Sequence, residues 1–419
     1  MVKGGKAVME RFQMNSSSSK RRMIWLALVL GSFAAIGPLS LDMYLPGLPS
    51  LADDLNSSIS LAQLSLTACM LGLAVGQIYL GPLSDSRGRR MPLILSLAVY
   101  SASSLACAFV PSVEMLLLMR FIQGVSGAGG IVISKAIVRD LFSGTELTKF
   151  FSMLMLVNGA APILAPVFGG QLLQFTSWRG VFIVLCILSM MMIAAAFWGL
   201  AESLPKELRN EGSIANTIRT FSRLGKDRIF IGFAFSQGFV SAAMFAYISG
   251  SPFVLQNIYG VSAQMFSLIF AINGVGIILA SQVTGRLAGK VKEGVLLVFG
   301  LYMAMTGGMI LLTGIILQAE LMVILIGLFL SVASVGIVGT TSFALAMENQ
   351  RSHAGSAAAL LGLIPFILGA IVAPLVGLGG EDSPLPMGLV IVGSQIIAIL
   401  SYFIVARPML KKGKSNEKA

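Results

Sequence analysis

Ile229–Gly285 reads IFIGFAFSQGFVSAAMFAYISGSPFVLQNIYGVSAQMFSLIFAINGVGIILASQVTG, with no Asp, Glu, Lys or Arg anywhere in it. A helix needs about 20 apolar residues to cross a bilayer, so this window holds two spans, at 229–250 and 263–285. Further charge-free windows cover Leu321–Met347, Ala354–Gly380 and Ser383–Ala406. The remaining spans fall at 24–46, 60–80, 92–110, 114–138, 150–174, 179–200, 294–316, 320–345, 354–378 and 386–406. The apolar runs are continuous rather than alternating, which selects helices over a β-barrel. The expected fold class is an all-α membrane protein with twelve transmembrane helices. Composition agrees, with 56% hydrophobic and 11% charged residues among 419, where a soluble protein carries about 25% charged. Mean hydropathy is +0.88. A lipid bilayer is therefore part of this chain's solvent.

The positive charges test the span count. With the N-terminus in the cytoplasm, even-numbered connections and both tails are cytoplasmic, and they hold 26 of the 29 Lys and Arg residues. Arg179 alone lies in an outer loop, while Arg120 and Lys135 lie within the fourth span. Outer loops carry Asp53, Asp54, Glu320, Glu381 and Asp382. Such asymmetry fixes orientation with the N-terminus inside, and one miscounted span scrambles it. The net charge of +11 is thus a topology signal and requires no nucleic acid as partner. Residues 1–23 are basic and Ser-rich and read as a disordered cytoplasmic tail. The apolar run that follows is too long for a secretory signal, and no small-residue cleavage site follows it. Residues 407–419 form the second tail. Cys69, Cys107 and Cys186 all fall in spans, so no disulfide framework is expected.

Residues 201–228 form the longest connection, hydrophilic and basic, and separate a bundle at 24–200 from one at 229–406. Weak internal symmetry points to duplication. Gly81-Pro82-Leu83-Ser84-Asp85 after span two has a counterpart, Gly285-Arg286-Leu287-Ala288-Gly289, after span eight. Ala165-Pro166 with Gly169 in span five matches Ala373-Pro374 with Gly377 in span eleven. The offsets, 81 to 285 and 166 to 374, are 204 and 208 residues. Parallel six-helix repeats build one large transporter class, with the binding site between the halves near the midplane.

Here the sequence resembles a known family. Gly81-Pro82-Leu83-Ser84-Asp85-Ser86-Arg87-Gly88-Arg89-Arg90 resembles the signature loop of the major facilitator superfamily. Leu118-Met119-Arg120-Phe121-Ile122-Gln123-Gly124 is similar to its fourth-helix motif, linked in drug/proton antiporters to proton coupling. Gly159 through Pro162, Pro166, Gly169 and Gly170 resembles the fifth-helix antiporter motif, with Ala165 in place of the usual Gly before Pro166. Leu41-Asp42-Met43-Tyr44-Leu45-Pro46-Gly47-Leu48-Pro49 is similar to the first-helix pattern of the bicyclomycin and chloramphenicol resistance branch. The resemblance implies the major facilitator fold, two pseudo-symmetric six-helix bundles. It also implies a monomeric proton-coupled multidrug antiporter of the bacterial cytoplasmic membrane, working by alternating access. Its partners would be small-molecule drugs and protons, with the proton gradient as energy source and no cofactor.

Asp42 is the one acidic residue well inside an apolar span. It lies nineteen residues beyond Met23, about 28 Å of helix, in the outer part of the first span. A carboxylate there is expensive and is usually kept for binding or proton transfer; the alternative is a solvated helix end near Pro46. Arg120, six residues after Glu114 and so about 9 Å from the outer surface, has a comparable depth. That places it in communication with Asp42 across a cavity, or makes it a structural pin. Gln123 lies at i+3 on the same face as Arg120. Lys135 is read as snorkelling to the cytoplasmic interface.

Gly81, Asp85, Arg87, Gly88, Arg89 and Arg90 are assigned to a conformational switch: the resemblance implies a charge latch in which Asp85 receives a helix N-terminus or an Arg. Pro162, Pro166, Gly169 and Gly170 would bend and closely pack the fifth span. Gly124, Gly127, Gly129 and Gly130 lack the Lys-Ser/Thr of a phosphate loop and let helices approach closely. The cavity is expected to be lined by Asp42, Tyr44, Gln123 and Asn158 from the first half and Met244, Tyr247, Asn273 and Phe366 from the second. The 23 Met and 25 Phe residues of the whole chain suit a deformable apolar site. One Asp in such a cavity favours neutral or cationic lipophilic substrates, with export of an amino acid or sugar as the alternative. An enzyme is not expected: the single histidine, His353, sits in a cytoplasmic loop, and no metal-ligand spacing is present. A non-transporting sensor is the third possibility.

Overall fold

The computed structural model describes residues 16–142, 144–209, 214–348, 350, 354–380 and 383–408. Within them the side chains of 16–24, 144–149, 151–153, 155–159, 208, 214–218 and 354–355 fall outside the description, as does all of His353. Among the described residues ten helices are long and apolar enough to cross a bilayer, from Ile59–Arg87 to Leu385–Ala406. The pair Trp25–Ala34 and Ile36–Asp54, bent by 44°, makes an eleventh crossing. Gly144–Leu172 occupies the expected place of the fifth span, and its Ala160–Leu172 portion is apolar. The spans that begin at Ile59, Val113 and Ala263 are N-capped by Ser58, Ser112 and Ser262, whose hydroxyls accept backbone N–H bonds at 3.3, 3.4 and 3.2 Å. Capping satisfies a donor that the helix itself leaves unpaired. Large apolar side chains such as Phe109, Phe175, Trp198 and Ile404 stand exposed around the bundle, as lipid-facing surfaces require.

The structure corrects or refines the expected elements in four places. The first span is broken rather than straight, and its short helices run on to Asp54. Pro38 explains the break at Ala35: it has no N–H to donate, and its ring crowds the carbonyl of residue 34. The helix also begins at Ser16, so Ser16–Met23, expected as disordered tail, are helical. The connection at 201–228 contains a helix, Ile214–Leu224; its signal was Ile214, Ile218 and Phe221 at helical spacing. The eleventh span tightens to 3-10 geometry over Ala373–Gly379, beginning just before Pro374.

Apolar helices gain little by leaving lipid for each other, so close packing must hold them. In the first half, glycines supply it. A Cβ on Gly72 or Gly76 of the second span would strike the carbonyl oxygens of Phe121 or Val125 of the fourth, and one on Gly124 would strike that of Cys69. Gly127 faces Ile36 and Tyr100, Gly129 faces Ser96, and Gly130 faces the Phe33 carbonyl. One helix face thus lets the fourth span touch the first, second and third. The face of the bundle that carries the linker and the first and last described residues is called terminal below, and its opposite distal. One core cluster joins the first half to the distal part of the second; another, around Phe230, Phe233, Leu297 and Tyr402, lies wholly at the terminal end of the second.

The loop between the second and third spans is a charged knot. Gly88 takes φ of +94°, a left-handed conformation that a side chain disfavours, and the turn folds Arg89 back over the helix end. Arg89 donates to Asp85 at 2.5 Å, to Ser84 at 2.8 Å and to Asp140 at 2.9 Å. Burial disfavours its charge, yet the hydrogen bond and charge of Asp140, then those of Asp85, outweigh this and hold its pKa above the ordinary value. Glu202 caps the third span, accepting from the Arg89 and Arg90 amides at 2.8 and 3.2 Å.

Substituting Gly72→Ala or Gly124→Ala should lower thermal stability in detergent by about 1–3 kcal/mol. Gly339→Ala, with no atom within 4 Å of the added carbon, should be neutral. Asp140→Ala should cost about 2 kcal/mol by removing the more buried acid from a buried guanidinium, and Asp85→Ala clearly less, because its side chain is 46% exposed and screened by water. Equal losses for the two acids would show that Arg89 is not the hub.

Candidate functional site

Asp42 is the last residue of the helix Ile36–Asp42, after which the chain turns through Met43 and Tyr44 into Leu45–Gly47. That helix end is buried, not solvated: Asp42 is 5% exposed. Among the described residues its carboxyl group has no hydrogen-bond or ion-pair partner. Beside it, Leu41, Leu66 and Met70 of the first half face Phe245, Ile248 and Ala373 of the second across a narrow apolar seam. Ionising an unpaired carboxyl group there is expensive. A proton or a cation relieves the cost, so the position suits a group that exchanges one for the other.

Arg120 is fully buried. It donates to Gln123 Oε1 at 2.5 Å and to the Ser65 carbonyl at 3.4 Å, and its guanidinium lies over the rings of Tyr44 and Phe182 at 4.5 and 5.5 Å. The Tyr44 and Ser65 hydroxyls share a hydrogen bond of 2.8 Å. Gln123 in turn donates to Ser104 at 2.7 Å, and Tyr100 is bonded to Ser40 at 2.6 Å. The expected pairing of Arg120 with Gln123 is present. Arg120 and Asp42 form no ion pair; Tyr44, two residues from Asp42 and stacked under Arg120, is the residue that connects their surroundings. One guanidinium nitrogen, Nη2, is buried without a partner. Arg120 is thus a fixed positive charge on an aromatic platform, positioned by Ser65 and by the Gln123–Ser104 pair. Sequence reasoning missed Ser40, Ser65, Tyr100 and Ser104, because serines in apolar spans are common and carry no spacing signal.

In the second half, Asn273 donates to the Tyr247 hydroxyl at 2.9 Å, and Tyr247 stacks on Phe270 at 5.5 Å. Tyr247 lies within Coulombic range of Asp42. Phe366 packs on Phe245 at 5.8 Å, and Phe245 lines the seam. Met244 is partly buried against the same core. The interface therefore gathers Tyr247, Asn273, Phe270 and the Phe245–Phe366 pair opposite Asp42. The side chain of Asn158 lies outside the described residues. Among the described residues no group of His, Cys, Asp and Glu is placed to hold a metal ion, and all three cysteines are free and buried.

The switch residues divide. Gly169 admits the Met43 carbonyl and Gly170 admits Ser267, while the helix runs on through Pro162 and Pro166. Gly81 faces Val132, and Arg87 is exposed. Asp85 receives Arg89 of its own loop, one of the two partners expected for it, and the N-terminus of the third span is capped by Glu202. Arg90 donates to the Phe197 carbonyl and lies 5.3 Å from that ring. Asp140 and Glu202, absent from the sequence reading, complete the knot: acids beside an Arg-rich loop were the available signal. No described residue of the second half joins the knot.

Comparison with known proteins agrees with this architecture. The Major Facilitator Superfamily profile matches residues 28–374. An uncharacterized MFS-type transporter of Bacillus subtilis, YdgK, is 44% identical over 93% of this chain and 97% of its own. A bicyclomycin resistance protein homolog of Haemophilus influenzae is 32% identical, covering 92% and 96%, and the multidrug transporter MdfA of Yersinia pestis is 26% identical, covering 91% and 94%. Among solved structures, the nucleoside transporter NupG superposes with a TM-score of 0.75 at 12% identity, over 91% of this chain and 98% of that one. A bacterial homolog of the lysosomal transporter Spinster, inward-facing and unoccupied, gives 0.69 at 16% identity, over 95% and 99%. These structures share the fold, and the sequence profile assigns the lineage: the chain belongs to the Major Facilitator Superfamily, a family of transporters and not of enzymes.

Proposed function

We propose that this transporter is a proton-coupled efflux antiporter for small lipophilic compounds, neutral or cationic and chloramphenicol- or bicyclomycin-like. The observation that carries the reading is Asp42: a buried carboxyl group without a partner, set at the seam between two halves that must separate. In alternating access, Asp42 holds a proton in one state and releases it when substrate fills the seam. For a neutral substrate, one proton entering down a 100 mV potential supplies about 2.3 kcal/mol, enough for modest uphill export; a monovalent cation exchanged for one proton moves no net charge and draws on the pH difference instead. Arg120 stays charged, and its fixed positive field favours release of that proton. Tyr247 and Asn273 offer hydrogen bonds from the second half, and the Phe and Met residues adapt to different shapes. The relatives named for bicyclomycin resistance and multidrug transport favour this substrate class. The protein acts as a monomer in the bacterial cytoplasmic membrane with both termini inside, and needs the proton gradient but no cofactor.

The test is proton release from purified protein in detergent on adding a chloramphenicol-like ligand or a cationic dye. Wild type should release protons and Asp42→Asn should not. Binding without release in the wild type removes Asp42 from coupling, and absence of binding shifts the assignment to export of a metabolite such as an amino acid or sugar. Arg120→Lys should fold yet lose at least about tenfold in transport, because an ammonium cannot hold Gln123 and the Tyr44 ring together in the guanidinium's geometry. Unchanged transport in that variant would make Arg120 a dispensable pin.

A further inference from the structure

The two halves meet closely at the distal face. Gln63, one turn into the second span and buried, donates its Nε2 to the Ser249 carbonyl at 3.2 Å. Gln256 donates to the Pro46 carbonyl at 3.2 Å, and Gln264 to the Gly170 carbonyl at 3.3 Å. Each bond runs from a side-chain amide on one half to a backbone carbonyl on the other.

Glycines seat these contacts. A Cβ on Gly377 of the eleventh span would meet Gln63 Oε1 at 2.5 Å and Ser60 Oγ at 2.6 Å. One on Gly170 of the fifth span would strike Ser267 of the eighth. The repeat relates the two crossings. Residue 267 lies 204 beyond residue 63, the offset that relates Gly81 to Gly285, and residue 377 lies 207 beyond residue 170, one short of the offset that relates Pro166 to Pro374. The second–eleventh and fifth–eighth crossings are one device used twice. No ion pair joins the halves among the described residues: the four pairs, at Asp85–Arg89, Asp140–Arg89, Asp54–Arg179 and Glu202–Arg209, lie within the first half and the start of the linker.

We propose that Gln63, Gln256 and Gln264 form an uncharged latch that keeps the distal gate shut and sets the resting balance toward the state closed on that side. Carbonyl acceptors on the backbone cannot be lost by side-chain rotation, so the latch re-forms whenever the glycine crossings close. Each amide–carbonyl bond is a neutral one and shifts the closed-to-open ratio by about two- to tenfold. A latch without charge is also blind to ionic strength, unlike one built on exposed ion pairs.

The experiment uses the full chain in lipid nanodiscs with no transported molecule present, so its outcome is independent of which substrate is carried. Spin labels at Asp53→Cys and Asn257→Cys, with the native cysteines changed to serine, report the distal separation by pulsed electron resonance. Replacing all three glutamines by alanine should raise the long-distance population at least about tenfold relative to the closed one. Gln282→Ala, at the other end of the eighth span, should change nothing. The parent distribution should be the same in about 0.1 M and about 1 M salt. A triple variant that superimposes on its parent, or a parent that opens with salt, overturns the proposal. Should the triple variant fail to run as a single species on size exclusion, Gln256→Ala alone is read for a two- to tenfold change, and its absence overturns the latch equally.

Discussion

The constraint on which the rest of this structure depends is that lipid offers apolar helices no reason to leave it for one another. Burial in water-soluble proteins is driven by apolar surface leaving water; here that surface is already out of water. What holds the first half together is contact at backbone distance, and the Gly72–Gly76 row against Gly124, with Gly127, Gly129 and Gly130 beyond it, is how the chain obtains it. A rigid fourth span follows, in touch with its three neighbours. Only on such a frame can Arg120 be held by Ser65, Gln123 and the Tyr44 ring with no acid to balance it.

Asp42 and Arg120 then have different characters. Arg120 is surrounded and immobilised. Asp42 is buried yet left without a partner, at the end of a helix interrupted by Pro38, on the seam that must open. A partner for Asp42 would stabilise it and at the same time fix its proton state. Leaving it unpaired costs stability, and it sets Asp42 apart from the ionisable groups at membrane depth that ordinarily find a partner.

How much of this was legible in the sequence follows from which interactions leave a periodic trace. The spans were, because charge-free windows and the Lys/Arg asymmetry are properties of composition. So were the close-packing glycines of the fourth span, the pairing of Arg120 with Gln123 at i+3, and the place of Asp42 inside an apolar span. The break at Ala35 had its cause in plain view at Pro38, yet the apolar run continues through it, and hydropathy cannot see a bend. The knot around Arg89 was half legible: the Arg-rich loop was visible, but Asp140 and Glu202 reach it only once the third, fourth and sixth spans pack. The serines around Arg120 gave no signal, since a hydroxyl in an apolar helix bonds its own preceding turn in most cases.

The ion pairs also have a distribution. All four among the described residues belong to the first half and the beginning of the linker, while the second half is held by apolar packing and a few amide and hydroxyl bonds such as Gln395 to Ser331 at 2.6 Å. A lining made of interchangeable apolar side chains tolerates replacement far better than a charged framework does. Exchanges among the apolar side chains of the second bundle should therefore be absorbed more readily than exchanges among the paired charges of the first.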